Sequence, residues 1–327
     1  MADKLHIALL GFTQGVSRYH LPYLEDEKRF DLKYICAPQK EISEEFRQEY
    51  KDVCFTEDEG IIENDEEINL VVILRDPETH RDTALKYLSL GKNVFIEKPV
   101  AMNRKEAEEI FSYAREKNLL ADVNQIRRYD GDYLTLKEIL DRNVLGEIYD
   151  LESHYDYYIP GKYAPKPLFL LRLGVHSIDQ MVHLYGRPDR IVYDVRSFHS
   201  KGNSDDYFDI DLFYGNTKVS IKTSYYVKLP YPRYIVHGSK GSLIIPQRGH
   251  NSQGGAVDGS YTKLSYVDEN GVDHNEEFLL KKNEYATLYQ NLYEEIFKGK
   301  EKEIREEEVL ETLRIIEGGI AAAKTNK

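Results

Sequence analysis

Short apolar runs alternate with amphipathic stretches along the first third of the chain, and the rhythm changes near residue 125. "KLHIALLGF", "FDLKYICA", "LVVIL", "NVFIEKP" and "LLADVNQ" read as strands. "LVVIL" is branched throughout with no polar alternation, as a parallel strand covered on both faces requires. Between them, "VSRYHLPYLE", "EISEEFRQEYK", "PETHRDTALKYLSLG" and "RKEAEEIFSYAREKN" read as helices. Phe46 and Tyr50 are four apart, and Ala107, Ile110, Phe111 and Ala114 mark one face. Pro22 interrupts the first of these helices, and Gly91 closes the third. Five strand–helix repeats predict an α/β fold with a doubly wound parallel sheet.

Beyond residue 125 a helix is expected over 133–143 and another over 173–185, ended by Gly186. Period-two alternation then takes over. Phe208, Ile210, Leu212 and Tyr214 face one way against Asp209, Asp211 and Phe213, and Val219, Ile221, Thr223, Tyr225 and Val227 oppose Ser220, Lys222 and Ser224. "GNT", Ser239–Gly241 and Asn270–Gly271 are the hairpin turns. This predicts an α+β domain on a large, mostly antiparallel open sheet with one covered and one more polar face. Two helices over 284–298 and 306–323 close the chain, the last with Val309, Leu313, Ile316 and Ile320 as its buried stripe. The domains are set at 1–124, the parallel-sheet domain, and 125–327, the α+β domain, whose last helix can pack back toward the first. "RGHNSQGGAVDGS" is the one low-complexity loop.

A chain of 327 residues holds two domains with real cores. Its net charge of −13, with no long Lys/Arg run, disfavours a nucleic-acid partner. No apolar run reaches membrane-spanning length, and a strand begins within a few residues of the start, so a cytoplasmic protein is expected. Two scattered cysteines, Cys36 and Cys54, read as thiols of a reducing compartment. The 26 tyrosines suit β-sheet, and also polar ligands and subunit interfaces.

The opening "LHIALLGFTQGVSRYHLPYL" places the first strand and turn of a dinucleotide-binding fold over Gly11, Phe12, Thr13, Gln14 and Gly15. Such a turn reads G-x-G-x-x-G: one glycine for the tight turn, one for backbone approach to the pyrophosphate, one for helix–strand packing. Gly11 keeps the first, whereas Thr13 and Val16 replace the other two; Gly15 restores some room. A carboxylate expected about 20 residues further on to hold the adenosine ribose of NAD is absent. Ala37 takes its place, with Gln39 and Lys40 nearby, which leans toward NADP.

"GKNVFIEKPVAMNRKEAEEI", with Glu-Lys-Pro at a strand end, resembles the glucose–fructose oxidoreductase / inositol dehydrogenase / rhizopine-catabolism (Gfo/Idh/MocA) family. "SRYHLPYL", "RRYDGDY", "LGEI", "HYDYYIPG", "LGVHSIDQMVHLYGRPD" and "HGSKGSL" extend the resemblance over nearly the whole chain. It implies a two-domain NAD(P)-dependent oxidoreductase acting on a small polar substrate: a sugar, sugar phosphate, cyclitol or related polyol. It also implies a homodimer or higher homo-oligomer through the C-terminal sheet.

Lys98 stands at the C-terminal end of a parallel strand, where ligands of open α/β sheets bind, and matches the family's catalytic lysine. Burial facing a cationic ring would lower its pKa toward neutrality. His176 matches the active-site histidine. Arg172 stands where many members carry an aspartate; it suits a carboxylate or phosphate, or marks loss of the usual acid–base set. Asp179, Arg128 and Tyr158 are further substrate-side candidates, while Arg75, His80, Glu97 and Gln125 join the turn and Lys98 at the cofactor. In the third strand's "RDPETH", Arg75 and Asp76 replace a Thr-Pro pair, and His80 is kept. Tyr157, Tyr158, Lys162 and Tyr163 sit on a loop that either covers a polar ligand or merely connects. Arg127, Arg128 and Asp130 either line the site or salt-bridge a helix entrance capped by Asp130 or Asp132. His183 lacks a third ligand at metal spacing, so no metal is expected. The departures at Thr13, Val16, Ala37, Asp76 and Arg172 keep a second possibility open: a Rossmann-fold sensor that has lost turnover.

Overall fold

Leu5–Leu10 (β1) is buried almost throughout and pairs in parallel on both sides, with Phe30–Cys36 (β2) and Leu70–Ile73 (β4). The computed structural model describes residues 4–24, 28–158, 169–198, 205–247 and 261–325. Its first unit holds six parallel strands in the order β3-β2-β1-β4-β5-β6, completed by Cys54–Thr56 (β3), Asn93–Glu97 (β5) and Ala121–Asn124 (β6). This is the doubly wound order expected from the strand–helix repeats, and it switches direction between β1 and β4. The helices of this unit are Gln14–Tyr19 (α1), Glu44–Glu49 (α2), Glu59–Asn64 (α3), His80–Ser89 (α4) and Arg104–Lys117 (α5). α5 shows why its sequence folds so. Asn103 caps it by accepting from the Glu106 N–H at 3.0 Å, Glu106 accepts from the Met102 N–H at 3.1 Å, and Asn118 ends it in the left-handed region.

Two expectations need correction here. The helix read from Val16 onward stops at Tyr19, and Leu21–Tyr23 form a separate 3-10 turn. Pro22 has no N–H to continue the ladder, and it restricts Leu21 before it. β3 and α3 were not anticipated, because three- and six-residue elements carry too few positions to show a period.

The second unit holds an eight-stranded sheet in the order β14-β13-β12-β11-β7-β10-β9-β8. Its strands are Ile148–His154 (β7), Arg190–Arg196 (β8), Tyr207–Tyr214 (β9), Thr217–Ser224 (β10), Tyr234–Gly238 (β11), Gly241–Ile245 (β12), Tyr261–Val267 (β13) and Asp273–Leu279 (β14). Only the β7–β10 pair is parallel. Phe208, Ile210, Leu212, Val219, Ile221 and Thr223 are buried on one face. The other face carries Asp209, Asp211, Lys218 and Lys222, whose side chains ion-pair across β9 and β10. Period two thus read the faces correctly from Phe208 to Leu212 and from Val219 to Thr223, but β10 stops at Ser224, which is buried rather than on the polar side, Tyr225 and Val227 lie beyond it, and the edge strand β8 escaped notice. Gly131–Asp141 (α6) and Val175–Tyr185 (α7) belong to this unit; α7 follows a π-type turn over Leu170–Gly174, where a simple helix from residue 173 was expected.

The chain closes with Ala286–Lys298 (α8) and Glu306–Thr325 (α9). Tyr285–Glu306 clusters with residues 1–126, and 307–327 with Arg127–Glu284. α8, not the last helix, therefore returns to the first unit. Among the described residues no helix is long and apolar enough to cross a membrane.

Candidate active site

At the C-terminal end of β1, Gly11 adopts φ +105°, and a Cβ there would stand 3.0 Å from the Leu74 carbonyl oxygen beyond β4. The turn at the switch point therefore demands glycine both for its backbone and for its space. Phe12 packs edge-on against Phe46, ring centroids 4.9 Å apart. Thr13 turns its hydroxyl back to accept from the Gly15 N–H at 3.2 Å, capping the α1 that begins at Gln14. Val16 is fully buried in the core. Its side chain lies in the interior, at the position where the third glycine of the fingerprint permits close helix–strand packing.

Beyond β4, Arg75 reaches Glu59 at 2.5 Å, and Glu59 also accepts from Lys86 at 2.9 Å. Burial works against that carboxylate, yet the bonds from Lys86 and Arg75 hold it below its usual range. Asp76 leads into a 3-10 turn and accepts from the Thr79 N–H through its carbonyl. His80 is fully buried and faces the Pro99 and Arg75 carbonyls with its two ring nitrogens, at 2.8 and 2.9 Å. Burial lowers its pKa. His80 thus sits between the ends of β4 and β5, its neutral ring donating to one of these carbonyls, with neither nitrogen turned outward.

β5 delivers Glu97 and the half-buried Lys98, and the Lys98–Pro99 peptide is cis. Glu97 Oε1 faces His20 Nε2 at 3.0 Å and accepts from Asn124 Nδ2 at 2.5 Å. His20 Nδ1 in turn lies 2.6 Å from the Tyr289 hydroxyl. At the end of β6, Asn124 Oδ1 and Gln125 Oε1 are buried with no hydrogen-bond partner. Sequence reasoning missed His20, Asn124 and Tyr289. His20 lies inside the quoted "SRYHLPYL", but nothing local ties it to residues 77 and 269 positions away.

In the second unit, α7 carries His176, which is 6% exposed, and the π-type turn before it carries Arg172. Arg128 and Asp179, expected at substrate, are committed to each other through two hydrogen bonds of 2.8 and 2.7 Å. Arg128 Nη1 also binds Glu308 at 2.7 Å and faces His183 Nδ1 at 2.9 Å. Burial opposes the Arg128 charge, but the two carboxylates outweigh it and hold the guanidinium charged. Both residues are almost wholly enclosed, so this is a structural ion cluster. Gln180, one turn after His176, was not singled out from sequence. Its Oε1 accepts from Arg233 and Tyr234 at 2.7 and 2.8 Å, and its Nε2 donates to the Arg127 carbonyl at 2.6 Å. Asp130 occupies the cap position of α6 but gives no cap hydrogen bond there; it pairs with Arg127 at 3.3 Å. Tyr158 is exposed and bridges to Tyr226 through its backbone, and Tyr157 is largely enclosed. Lys162, Tyr163 and the low-complexity loop lie outside the described residues.

A parallel sheet in this order, with a glycine turn at its switch point and a lysine at a neighbouring strand end, is that of a dinucleotide-dependent oxidoreductase. Residues 5–125 match the NAD-binding Rossmann fold of the Gfo/Idh/MocA oxidoreductase family and residues 137–327 its C-terminal α/β domain, so the chain belongs to that family. It is 37% identical to the uncharacterized oxidoreductase YhhX of Escherichia coli, over 98% of this chain and 97% of the other. It is 27% identical to the scyllo-inositol 2-dehydrogenase (NADP(+)) IolW of Bacillus subtilis, over 99% and 95% of the two chains. A solved oxidoreductase structure from Bacillus cereus superposes with a TM-score of 0.90 at 33% identity, covering 97% of this chain and 96% of that one.

Proposed function

We propose that this protein oxidises a secondary carbinol of a cyclitol or similar polyol, and reduces the matching ketone, with NADP(H) as coenzyme and Lys98 as the acid–base group. The observation that carries the reading is the arrangement at the ends of β5 and β6. There Glu97 and Lys98 stand beside two buried amide oxygens, Asn124 Oδ1 and Gln125 Oε1, that lack donors. Buried acceptors without partners are costly, and a carboxamide-bearing ring supplies N–H groups of the kind they need. The residues present therefore fit a nicotinamide dinucleotide, with Gly11 to Gly15 at its pyrophosphate.

The nicotinamide, when bound, accepts or returns the hydride. In the oxidising direction the Lys98 amine takes the hydroxyl proton; in reduction the ammonium gives it to the carbonyl oxygen. In the second unit His176 and Arg172 are the substrate-side groups of the reading, Arg172 suited to a polar or anionic substituent. Arg75 and His80 support the turn by holding the strand ends, and Tyr158 remains available to a substrate hydroxyl. Arg128 and Asp179 hold α7 in place.

NADP is favoured because Ala37 presents no carboxylate to repel a 2′-phosphate, and because IolW, similar over its whole length, is an NADP(+) enzyme. The cyclitol class rests on the names of IolW and of the inositol 2-dehydrogenase of Salmonella paratyphi B, 31% identical over 36% of this chain. The open sheet face, with Val192, Ile244, Tyr261, Val267 and Leu279 exposed, supports a homodimer, which light scattering reads directly.

The test is a titration with NADPH and NADH followed by nicotinamide fluorescence, then a screen of inositols and sugar polyols with the coenzyme that binds. Micromolar NADPH binding and turnover of a polyol are expected. Absence of binding by folded protein overturns the proposal, and binding without turnover of any polyol leaves the ligand sensor in front.

A further inference from the structure

The Tyr289–His20–Glu97 chain leads from the core of the first unit to the residue beside Lys98. His20 is 2% exposed and Tyr289 fully enclosed, so each hydrogen atom in the chain needs a definite place. Glu97 Oε1 accepts from Asn124 Nδ2 and lies 3.0 Å from His20 Nε2. A carboxylate oxygen only accepts, so with Glu97 ionised the hydrogen lies on Nε2. Nδ1 is then the bare acceptor and takes the Tyr289 O–H at 2.6 Å. The reverse arrangement, an imidazolium donating to the phenol oxygen, would leave the Tyr289 hydrogen with no acceptor, since His20 is its hydrogen-bond partner among the described residues. The tyrosine thus fixes the tautomer of the imidazole, and the imidazole fixes the carboxylate. Packing holds the order. The His20 ring lies edge-on to Phe95 and Tyr289, and Tyr289 lies against Phe30.

Taking Lys98 as the acid–base group of the proposed reaction, we infer that His20 is a positioning residue, which with Tyr289 keeps Glu97 ionised and so places a fixed negative charge on the residue that precedes Lys98. Burial pushes the Glu97 carboxyl toward its neutral form, but the His20 hydrogen bond, the Lys98 charge and Asn124 together hold it below its ordinary value. Burial and the Glu97 charge push the Tyr289 phenol well above its ordinary value, so it stays a donor. The groups facing Glu97 are Lys98 on its own strand, His20 after α1, Tyr289 on α8, Asn124 on β6 and His80 on α4. A carboxylate neighbour favours the ammonium form of a lysine. The relay therefore sets the pH at which Lys98 becomes a base.

The experiment has two readouts on the full-length protein. The first is the acid limb of kcat for polyol oxidation with NADP+. Glu97→Gln removes the charge, and His20→Ala removes the donor that sustains it. Each is expected to move that limb to lower pH by about one unit or more, a tenfold change in proton concentration. His20→Gln keeps an N–H donor and is expected to keep the wild-type limb. A role confined to stability would change melting or kcat without moving the limb, so unmoved limbs in folded Glu97→Gln and His20→Ala overturn the inference. The second readout needs no turnover. Imidazole nitrogen NMR of labelled protein, with the His20 signals assigned by their loss in His20→Gln, is expected to show the Nε2–H tautomer; the Nδ1–H tautomer overturns the relay. Lys98→Ala separates the two proposals. If it retains polyol oxidation, the acid–base role of Lys98 fails, and with it the consequence for Lys98, whereas the tautomer result stands by itself.

Discussion

Both carboxylate oxygens of Asp179 accept hydrogen bonds from the Arg128 guanidinium, at 2.7 and 2.8 Å, with Arg128 4% and Asp179 1% exposed. Removing Asp179 leaves the buried Arg128 with Glu308 alone, and removing Arg128 leaves two buried carboxylates without their cation. Asp179→Ala and Arg128→Met are each expected to destabilise the protein by about 3–5 kcal/mol. The double variant Arg128→Met/Asp179→Leu is expected to cost less than the sum of its singles. Denaturant melts of the four proteins in the cycle measure both outcomes; singles within 1 kcal/mol of wild type would show the cluster to be idle.

Val16 answers whether the loss of the third glycine damages the turn. Its side chain is wholly in the core, so Val16→Gly opens a cavity and puts glycine inside α1. A loss of about 2–3 kcal/mol of stability is expected, with no gain in NADPH affinity. Tighter binding in this variant would mean that the valine does crowd the coenzyme.

Ala37 is the position at which a carboxylate tests coenzyme choice. Ala37→Asp restores the group that holds the ribose of NAD and repels a 2′-phosphate. NADPH affinity is expected to fall tenfold or more while NADH affinity holds or rises, both read by fluorescence titration. An unchanged ratio would remove the case for NADP from this position.

Acid stability has a local source in Asp65. Burial opposes its ionisation, but hydrogen bonds from Lys33 at 2.7 Å and Tyr34 at 2.8 Å, with the Glu67 N–H, hold its carboxyl down at about 2. The folded value lies below that of an unfolded aspartate, near 3.9. Its contribution is therefore complete above about pH 4 and disappears as pH falls toward about 2. Asp65→Asn is expected to be less stable at pH 7 and to show a shallower loss between these limits. Thermal melts across that range decide it; parallel curves for variant and wild type would place the acid sensitivity elsewhere.

What the sequence by itself determined was whatever rests on near neighbours. Unbroken branched runs gave the parallel strands, alternation gave the two faces at the centre of β9 and β10, and Ala107, Ile110, Phe111 and Ala114 marked α5 by its apolar face. The Glu-Lys-Pro motif and the order of motifs around it indicated the family. Short elements such as β3 and α3 escaped because a period needs more residues than they have. The edge strand β8 escaped although Ile191, Tyr193 and Val195 give it an apolar side, because Val192 among Arg190, Asp194 and Arg196 blurs the polar row opposite. Only the tertiary structure decided the uses of the polar groups. Arg128 and Asp179 are 51 positions apart and pair inside the protein, and His80, a candidate ligand, sits instead between two strand ends. Tyr289, 269 positions from His20, completes a chain that no local pattern encodes. The physical reason is the same throughout. Backbone geometry and apolar burial follow from residues within a turn or two along the chain, whereas the partner of a buried donor or acceptor is chosen by whichever distant segment the fold brings within 3 Å of it.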